Sequence, residues 1–191
     1  MLVILMTNFI LANPQQVEEK EQKRMKPVLL VIDIQNKYIP YMSEEDRKFG
    51  LEMINYAIML FRQNGFPIIR VYHTDPEWGP KPDTEDFEFP KTVAIKDEDA
   101  KIIKNYASAF KNTELEKLIR EQGHNTLFLC GLSAVDCVLA TYHGAQDLDL
   151  NVFMVKDALL SHNSTYTDFV EEIFDTVSLT TLKVMLEYTQ K

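Results

Sequence analysis

Residues Val28-Leu29-Leu30-Val31-Ile32 form an uninterrupted run of β-branched and leucine side chains that ends at Asp33. A strand with no polar alternation is typical of a parallel sheet that is buried on both faces. Further along the chain, apolar strand candidates alternate with helix candidates about six times. Right-handed crossovers between such units predict an α/β fold with three layers: an open, mostly parallel, six-stranded sheet of Rossmann-like type with helices on both faces.

The rest of the chain supplies the other elements of this sheet. The strand candidates are residues 28–32, 67–72, 101–104, 126–130, 152–155 and 177–180, and the helix candidates are residues 44–64, 113–122, 134–148 and 166–174, followed by a short C-terminal helix. Residues 74–89 form a long connection rich in proline, acids and aromatics. Long loops in compact domains are often functional, so we expect this one to contribute to a site.

The chain has 191 residues, which is somewhat longer than a typical single domain of ~150 residues. Residues 1–12 are nearly all apolar and a polar stretch follows, which predicts an N-terminal extension over 1–26 and one domain over 27–191. The apolar segment resembles a secretory signal and is too short to span a bilayer, which needs ~20 residues. We expect a cytoplasmic protein without a membrane span. Export through this signal-like segment is one alternative, and packing of the segment on the domain or on a partner subunit is another.

Composition excludes several classes of function. The net charge of −9 opposes binding to a phosphate backbone, so no nucleic-acid partner is expected. The six glycines are scattered, which excludes the glycine-rich phosphate loops of dinucleotide and nucleotide binders. Two cysteines are too few for a disulfide-rich scaffold or a four-cysteine zinc site.

Chemically useful residues follow the strand candidates, at the edge of the sheet where such folds bind ligands. Asp33, Lys104 and Cys137 all fall at this edge. Each of these residues could instead have no catalytic role, since Asp often caps a turn, Lys is usually solvated and a single Cys is usually buried. Cys130 fits that alternative because it lies inside an apolar strand. Cys137 instead opens a helix, where backbone N–H groups and a neighbouring lysine predict a thiolate at neutral pH.

Four motifs in order give these residues a context. They are Val31-Ile32-Asp33-Ile34-Gln35-Asn36, Lys104-Asn105-Tyr106-Ala107-Ser108-Ala109-Phe110, Gly131-Leu132-Ser133-Ala134-Val135-Asp136-Cys137-Val138 and Val155-Lys156-Asp157-Ala158. From about residue 28 to 181 the chain resembles the isochorismatase-like cysteine hydrolases. This family includes nicotinamidases, N-carbamoylsarcosine amidases and ureidoacrylate hydrolases.

The resemblance implies a catalytic triad of Asp33, Lys104 and Cys137. Asp33 is then the base, Lys104 holds the thiolate and Asp33 by charge, and Cys137 attacks a carbonyl carbon to form a thioester. The resemblance also implies a cis peptide between Leu132 and Ser133, so that the N–H groups of Ser133 and Cys137 form an oxyanion hole. The implied reaction is hydrolysis of a C–N bond, amide or ureido, in a small-molecule substrate. Family members commonly form dimers or higher oligomers, so a homo-oligomer is implied as well.

Two departures from the family pattern bear on the substrate. Ala134 stands where many members have Thr. Nicotinamidases bind a metal through an Asp-x-His pair and further histidines, whereas this chain has four histidines and no such pair. Catalytic metals usually take three protein ligands, so we expect no metal and no other cofactor. The candidates for the substrate pocket are Gln35, His73, Asp75, Trp78 and Phe110.

Three other functions remain open at this point. One is a catalytically silent member that acts as a binding or scaffold protein, and another is a metal-dependent nicotinamidase. The third is a serine hydrolase, because Gly131-Leu132-Ser133-Ala134-Val135 resembles a nucleophile elbow, although it lacks the final glycine.

Overall fold

A six-stranded sheet forms the centre of the molecule in the computed structural model, which describes residues 24–189. The strands are β1 (Pro27–Ile32), β2 (Ile68–His73), β3 (Ala100–Lys104), β4 (Thr126–Leu132), β5 (Asn151–Leu160) and β6 (Thr176–Val177). Their order is β3-β2-β1-β4-β5-β6, and every neighbouring pair is parallel. The predicted fold class is therefore confirmed.

Five α-helices cover the two faces of the sheet. They are α1 (Glu44–Gln63), α2 (Leu115–Glu121), α3 (Leu139–Gln146), α4 (Ser164–Ile173) and α5 (Leu179–Thr189). Leu29 and Val31 of β1 pack in a core with residues of α1 and α5, while Leu30 packs in a second core with residues of α2, α3 and α4. Because successive side chains of a strand point to opposite faces, a continuous apolar run is what a sheet covered on both sides requires.

Three predicted elements differ from the structure. The predicted helix 134–148 begins as a π-helical turn, Ala134–Val138, before α3. The predicted strand 152–155 extends to Leu160. The predicted strand 177–180 is wrong after Val177, because Ser178 begins a helix: its Oγ accepts a hydrogen bond from the N–H of Thr181. A serine at this position satisfies an N–H that the first helical turn leaves open.

The N-terminal predictions fall mostly outside the described residues, since only 24–26 of the extension 1–26 are described. Met25 packs against the core formed with α1 and α5. Between residues 24 and 189, no helix has both the length and the apolar character needed to cross a membrane.

The end of β4 carries the backbone feature that sets up the site. Pairing with β5 shifts register between Leu129 and Gly131, and Gly131 has a φ of +119°. A Cβ atom at Gly131 would lie 2.1 Å from the carbonyl oxygen of Ile32, so only glycine fits here. β4 can thus run close to β1 and bring the next residues of the chain beside Asp33.

Candidate active site

Asp33 and Lys104 form a buried ion pair at the carboxyl ends of the strands. The Lys104 Nζ donates to Asp33 Oδ2 at 2.6 Å, and the two side chains are 0% and 3% exposed. Asp33 follows β1 directly and has a left-handed φ of +53°. Non-glycine residues rarely adopt this conformation, and such positions cluster at functional sites.

The electrostatics of this pair favour a base beside a permanent cation. Burial raises the pKa of Asp33 above its ordinary value, and the Lys104 ammonium opposes that shift. Burial lowers the pKa of Lys104, but its interactions with Asp33 and Cys137 outweigh burial and hold the pKa above its ordinary value. Lys104 therefore keeps its proton, while Asp33 accepts one more readily than an exposed carboxylate does.

His73 lies beside the pair because it is the register partner of Lys104 in the sheet. Its Nδ1 is 3.3 Å from Lys104 Nζ. Burial, followed by the Lys104 charge, lowers the pKa of His73. An ammonium only donates hydrogen bonds, so Nδ1 is the acceptor and the proton of the neutral ring is on Nε2.

Cys137 completes the cluster from the π-helical turn. Its Sγ, a carboxylate oxygen of Asp33 and a ring nitrogen of His73 lie within 4.8 Å of one another. Burial, then the Asp33 charge, raises the pKa of Cys137, and Lys104 opposes the shift. This direction favours a neutral thiol at rest rather than the predicted thiolate, because the Lys104 charge is already balanced by Asp33.

One oxygen of Asp33 remains available for that thiol. Within residues 24–189, Oδ1 of Asp33 is buried and has no hydrogen-bond partner, whereas Oδ2 accepts from Lys104. Buried carboxylate oxygens rarely lack a partner, and the exceptions often have a catalytic role. Oδ1 is thus free to accept the proton of the Cys137 thiol.

The peptide bond between Leu132 and Ser133 is cis, as the family resemblance implies. These two residues and Cys137 line a cavity of about 670 Å³. The cavity is lined by Asp33, Tyr38, Tyr41, Met42, His73, Ala107, Leu132, Ser133, Asp136, Cys137 and His162. The hydroxyl of Ser133 lies 3.3 Å from that of Ser161, which is not a base, so a serine-hydrolase arrangement has no support here.

Of the five pocket candidates, only His73 lines the cavity. Gln35 is buried and joins two chain segments instead: its Nε2 donates to the carbonyls of His73 and Phe87, and its Oε1 accepts from the N–H of His73. Gln35 therefore fixes the end of β2 rather than facing the cavity. Phe110 packs in the core with α2 and α3.

The long loop contributes less than its composition predicts. Asp75 caps the loop, since its Oδ1 accepts from the N–H groups of Glu77 and Trp78. Trp78 is 82% exposed and does not line the cavity. Ala134, the first residue of the π-helical turn, is buried in the core and does not line the cavity, so its missing hydroxyl is not a loss to the cavity surface. Cys130 is buried in β4, as predicted, with its Sγ 3.6 Å from the carbonyl oxygen of Leu30.

Several lining residues were missed by the sequence analysis. Tyr38, Tyr41 and Met42 come from the segment around a 3₁₀ helix, Ile39–Tyr41, and His162 follows β5. Burial, then the charge of Asp33, raises the pKa of Tyr38, which keeps it a neutral phenol. Asp136 was visible beside Cys137 in the motif, and its position next to the predicted nucleophile was a usable signal.

The residues do not fit a catalytic metal of the nicotinamidase type. Asp33, His73 and Cys137 are the one group of three potential ligands that converges among residues 24–189. The Lys104 ammonium sits 2.6 Å from Asp33 Oδ2 and 3.3 Å from His73 Nδ1. Its positive charge occupies the position that a cation would need, so we assign no step to a metal.

The fold and the cavity together define the class of protein: it is an open parallel α/β protein with a buried carboxylate–lysine pair and a cysteine at the carboxyl edge of the sheet. The profile of the Isochorismatase domain matches residues 27–182. The chain therefore belongs to the isochorismatase family, which confirms the resemblance drawn from the motifs, and it has the fold of that family's hydrolases.

Individual relatives agree with this assignment. The uncharacterized isochorismatase family protein YddQ of Bacillus subtilis (strain 168) is 30% identical over 139 residues, covering 70% of this chain and 77% of YddQ. The N-carbamoylsarcosine amidase of Thermoplasma acidophilum superposes with a TM-score of 0.69 and 25% identity, covering 81% of this chain and 95% of that one. A cysteine hydrolase of Pseudomonas syringae pv. phaseolicola 1448A superposes with a TM-score of 0.72, covering 87% and 95%, and at 16% identity this likeness shows the fold alone.

Proposed function

We propose that the protein is a metal-independent cysteine hydrolase that cleaves a C–N bond, amide or ureido, of a small molecule. The observation that carries this proposal is the cluster formed by Asp33, its buried ion-pair partner Lys104 and Cys137, of which Asp33 and Cys137 line the cavity. Family members that cleave a vinyl ether often lack the cysteine, so the presence of Cys137 favours hydrolysis of a C–N bond. The similarity to an N-carbamoylsarcosine amidase points the same way.

The first half-reaction begins with a thiol. As Sγ of Cys137 approaches the substrate carbonyl carbon, its proton passes to Oδ1 of Asp33, which has no other partner among the described residues. The C–S bond forms, and the carbonyl oxygen takes the negative charge. The N–H groups of Ser133 and Cys137 are the donors proposed to stabilise it, and each such donor is typically worth about 10²–10³ in rate.

Collapse of the tetrahedral intermediate completes the first half-reaction: the C–N bond breaks, the proton held by Asp33 passes to the leaving nitrogen, and a thioester remains on Cys137. In the second half-reaction Asp33 removes a proton from water as the water oxygen attacks the thioester carbon. The C–S bond then breaks, the acid is released, and the proton on Asp33 returns to Sγ to restore the thiol. Lys104 keeps its proton throughout and stabilises whichever of Asp33 and Cys137 is negative.

The test is a mass measurement during turnover. A panel of small primary amides and ureido acids is screened for release of ammonia, and the enzyme is acid-quenched with each active substrate and mapped by mass spectrometry. We expect an acyl adduct on Cys137. An adduct on another residue, or no ammonia from any member of the panel together with no adduct, would contradict the proposal, and the latter result would favour the silent scaffold.

The chain offers a matched control in its second cysteine. Cys137→Ser should leave folding intact and nearly abolish turnover, because the hydroxyl is a far weaker nucleophile in this setting. Cys130→Ser should retain turnover in the folded fraction, because Cys130 lies away from the cavity. Full activity of Cys137→Ser would remove the mechanism.

A further inference from the structure

The cavity has a charge balance that the proposed reaction does not explain. Within residues 24–189, its lining contains no lysine or arginine. The charge of Asp33 is balanced by Lys104. Asp136 also lines the cavity, is exposed and belongs to no ion pair within the same residues. The lining thus carries an uncompensated carboxylate.

Asp136 lies close enough to influence the reacting groups. After burial and the charge of Asp33, its negative charge further raises the pKa of Cys137. It also opposes the lowering of the His73 pKa that burial and Lys104 cause. The backbone N–H of Asp136 donates to the carbonyl of Ser133 at 3.0 Å, which fixes the residue within the turn that holds the nucleophile.

The rest of the wall suits an organic cation. Tyr38 and Tyr41 line the same cavity together with Met42. Tyrosine faces attract organic cations through the ring quadrupole, and methionine adds an adaptable apolar contact. A carboxylate on the substrate would instead meet the Asp136 carboxylate with no cationic side chain of the lining to compensate it.

We propose that the site selects substrates with a positive charge outside the scissile group, and that Asp136 is the specificity-determining residue that discriminates against anionic substrates. This inference names the substrate class of the proposed hydrolase and therefore rests on that function. It predicts that amides bearing an amine or quaternary ammonium are preferred over neutral isosteres, and that amides bearing a carboxylate are poor substrates.

The first experiment measures the charge preference of the cavity without any turnover. Cys137 is labelled with a cationic and an anionic methanethiosulfonate of similar size, each of which transfers its alkylthio group to sulfur and releases methanesulfinate. Both reagents are used at the same pH, about 8. The ratio of the cationic to the anionic rate, normalised to a free thiol in solution, reports the field of the cavity and cancels changes in thiol reactivity.

In the native protein we expect a ratio above that of the free thiol. Asp136→Asn should lower it roughly 4–25-fold, since exposed charge pairs shift each rate about twofold to fivefold in opposite directions. Asp136→Lys should lower it further, to below the free-thiol value. The control Asp147→Asn removes the same charge from an exposed position at the end of α3, away from the cavity, and should leave the ratio unchanged.

The second experiment compares hydrolysis of trimethylammonioacetamide, its neutral isostere 3,3-dimethylbutanamide and the anionic succinamate. We expect kcat/KM to fall in that order, and Asp136→Asn to lower the ratio of the first to the second about twofold to fivefold. A native labelling ratio at or below the free-thiol value, or equal effects of Asp136→Asn and Asp147→Asn, would overturn the inference. Hydrolysis without charge preference refutes the inference alone, whereas charge-selective labelling without hydrolysis or an acyl adduct refutes the proposed function alone.

Discussion

The substitution Lys104→Met tests the buried pair most directly, because it removes the charge and keeps a side chain of similar length. The Lys104 side chain is 0% exposed and its partner Asp33 is 3% exposed, at 2.6 Å. Removing one member leaves a buried, uncompensated charge, which typically costs about 3–5 kcal/mol. That is a large fraction of the ~5–15 kcal/mol by which domains are stable.

A substitution of the other member of the pair completes a double-mutant cycle. Asp33→Asn leaves the Lys104 ammonium buried without its anion and should cost about as much, while asparagine tolerates the left-handed φ of +53° at this position. The double variant has no buried charge left, and its unsatisfied amide costs about 1–3 kcal/mol. The double variant should therefore be more stable than either single variant.

The assay is urea unfolding followed by far-UV circular dichroism at several pH values. Burial raises the pKa of Asp33, and removing Lys104 raises it further. The penalty of the ionised carboxylate is absent below the unfolded pKa near 3.8 and grows as pH rises through the folded pKa. The loss caused by Lys104→Met should thus be largest at neutral pH and shrink on acidification, by at most about 1.4 kcal/mol per pH unit. This reasoning would be refuted if the effects of the two single variants on the free energy of unfolding added up, within about 0.5 kcal/mol, to that of the double variant. It would also be refuted if the loss caused by Lys104→Met did not depend on pH.

Gly131→Ala should destabilise by roughly 2–6 kcal/mol, because the new Cβ overpacks against the backbone of β1 and the φ is left-handed. Gly65→Ala has a φ of +69° but no atom of residues 24–189 within 4 Å of the new Cβ, and it should cost about 1–2 kcal/mol in the same unfolding assay. Cys130→Ser should lower the free energy of unfolding by about 1–3 kcal/mol, towards the low end if the hydroxyl donates to the carbonyl of Leu30; a loss of turnover per folded molecule would count against its structural role. Treatment with EDTA should leave hydrolysis unchanged, and loss on chelation with recovery on adding Zn²⁺, Fe²⁺ or Mn²⁺ would show that the Lys104 argument against a metal is wrong.

The strands and the cluster at their ends were predictable because they depend on patterns that the sequence shows directly. Apolar runs such as 28–32 locate buried strands, and parallel strands bring their carboxyl ends to the same edge. Asp33, Lys104 and Cys137 could therefore be grouped although they are far apart in sequence. The assignment of their roles depended on the family resemblance and stays a proposal.

The cavity wall was much less predictable, because loop residues follow no period. Trp78 and Asp75 were chosen for their chemistry, but the loop directs one into solvent and uses the other to cap itself. Gln35 belongs to a family motif, and its amide satisfies backbone groups rather than a ligand. Tyr41 and His162 gave no signal, since their approach to the cavity depends on the path of the backbone.

The position of β3 at the edge of the sheet has a consequence for how the protein unfolds. β3 pairs only with β2 in the described part of the chain, yet it carries Lys104. Edge elements open at lower free energy than the centre of a sheet, and hydrogen exchange detects such partial opening. Detachment of β3 would withdraw the ammonium from Asp33 while β1 and β4 remain paired. On heating, the cluster should therefore come apart before the sheet melts, with amides of β3 exchanging ahead of those of β1.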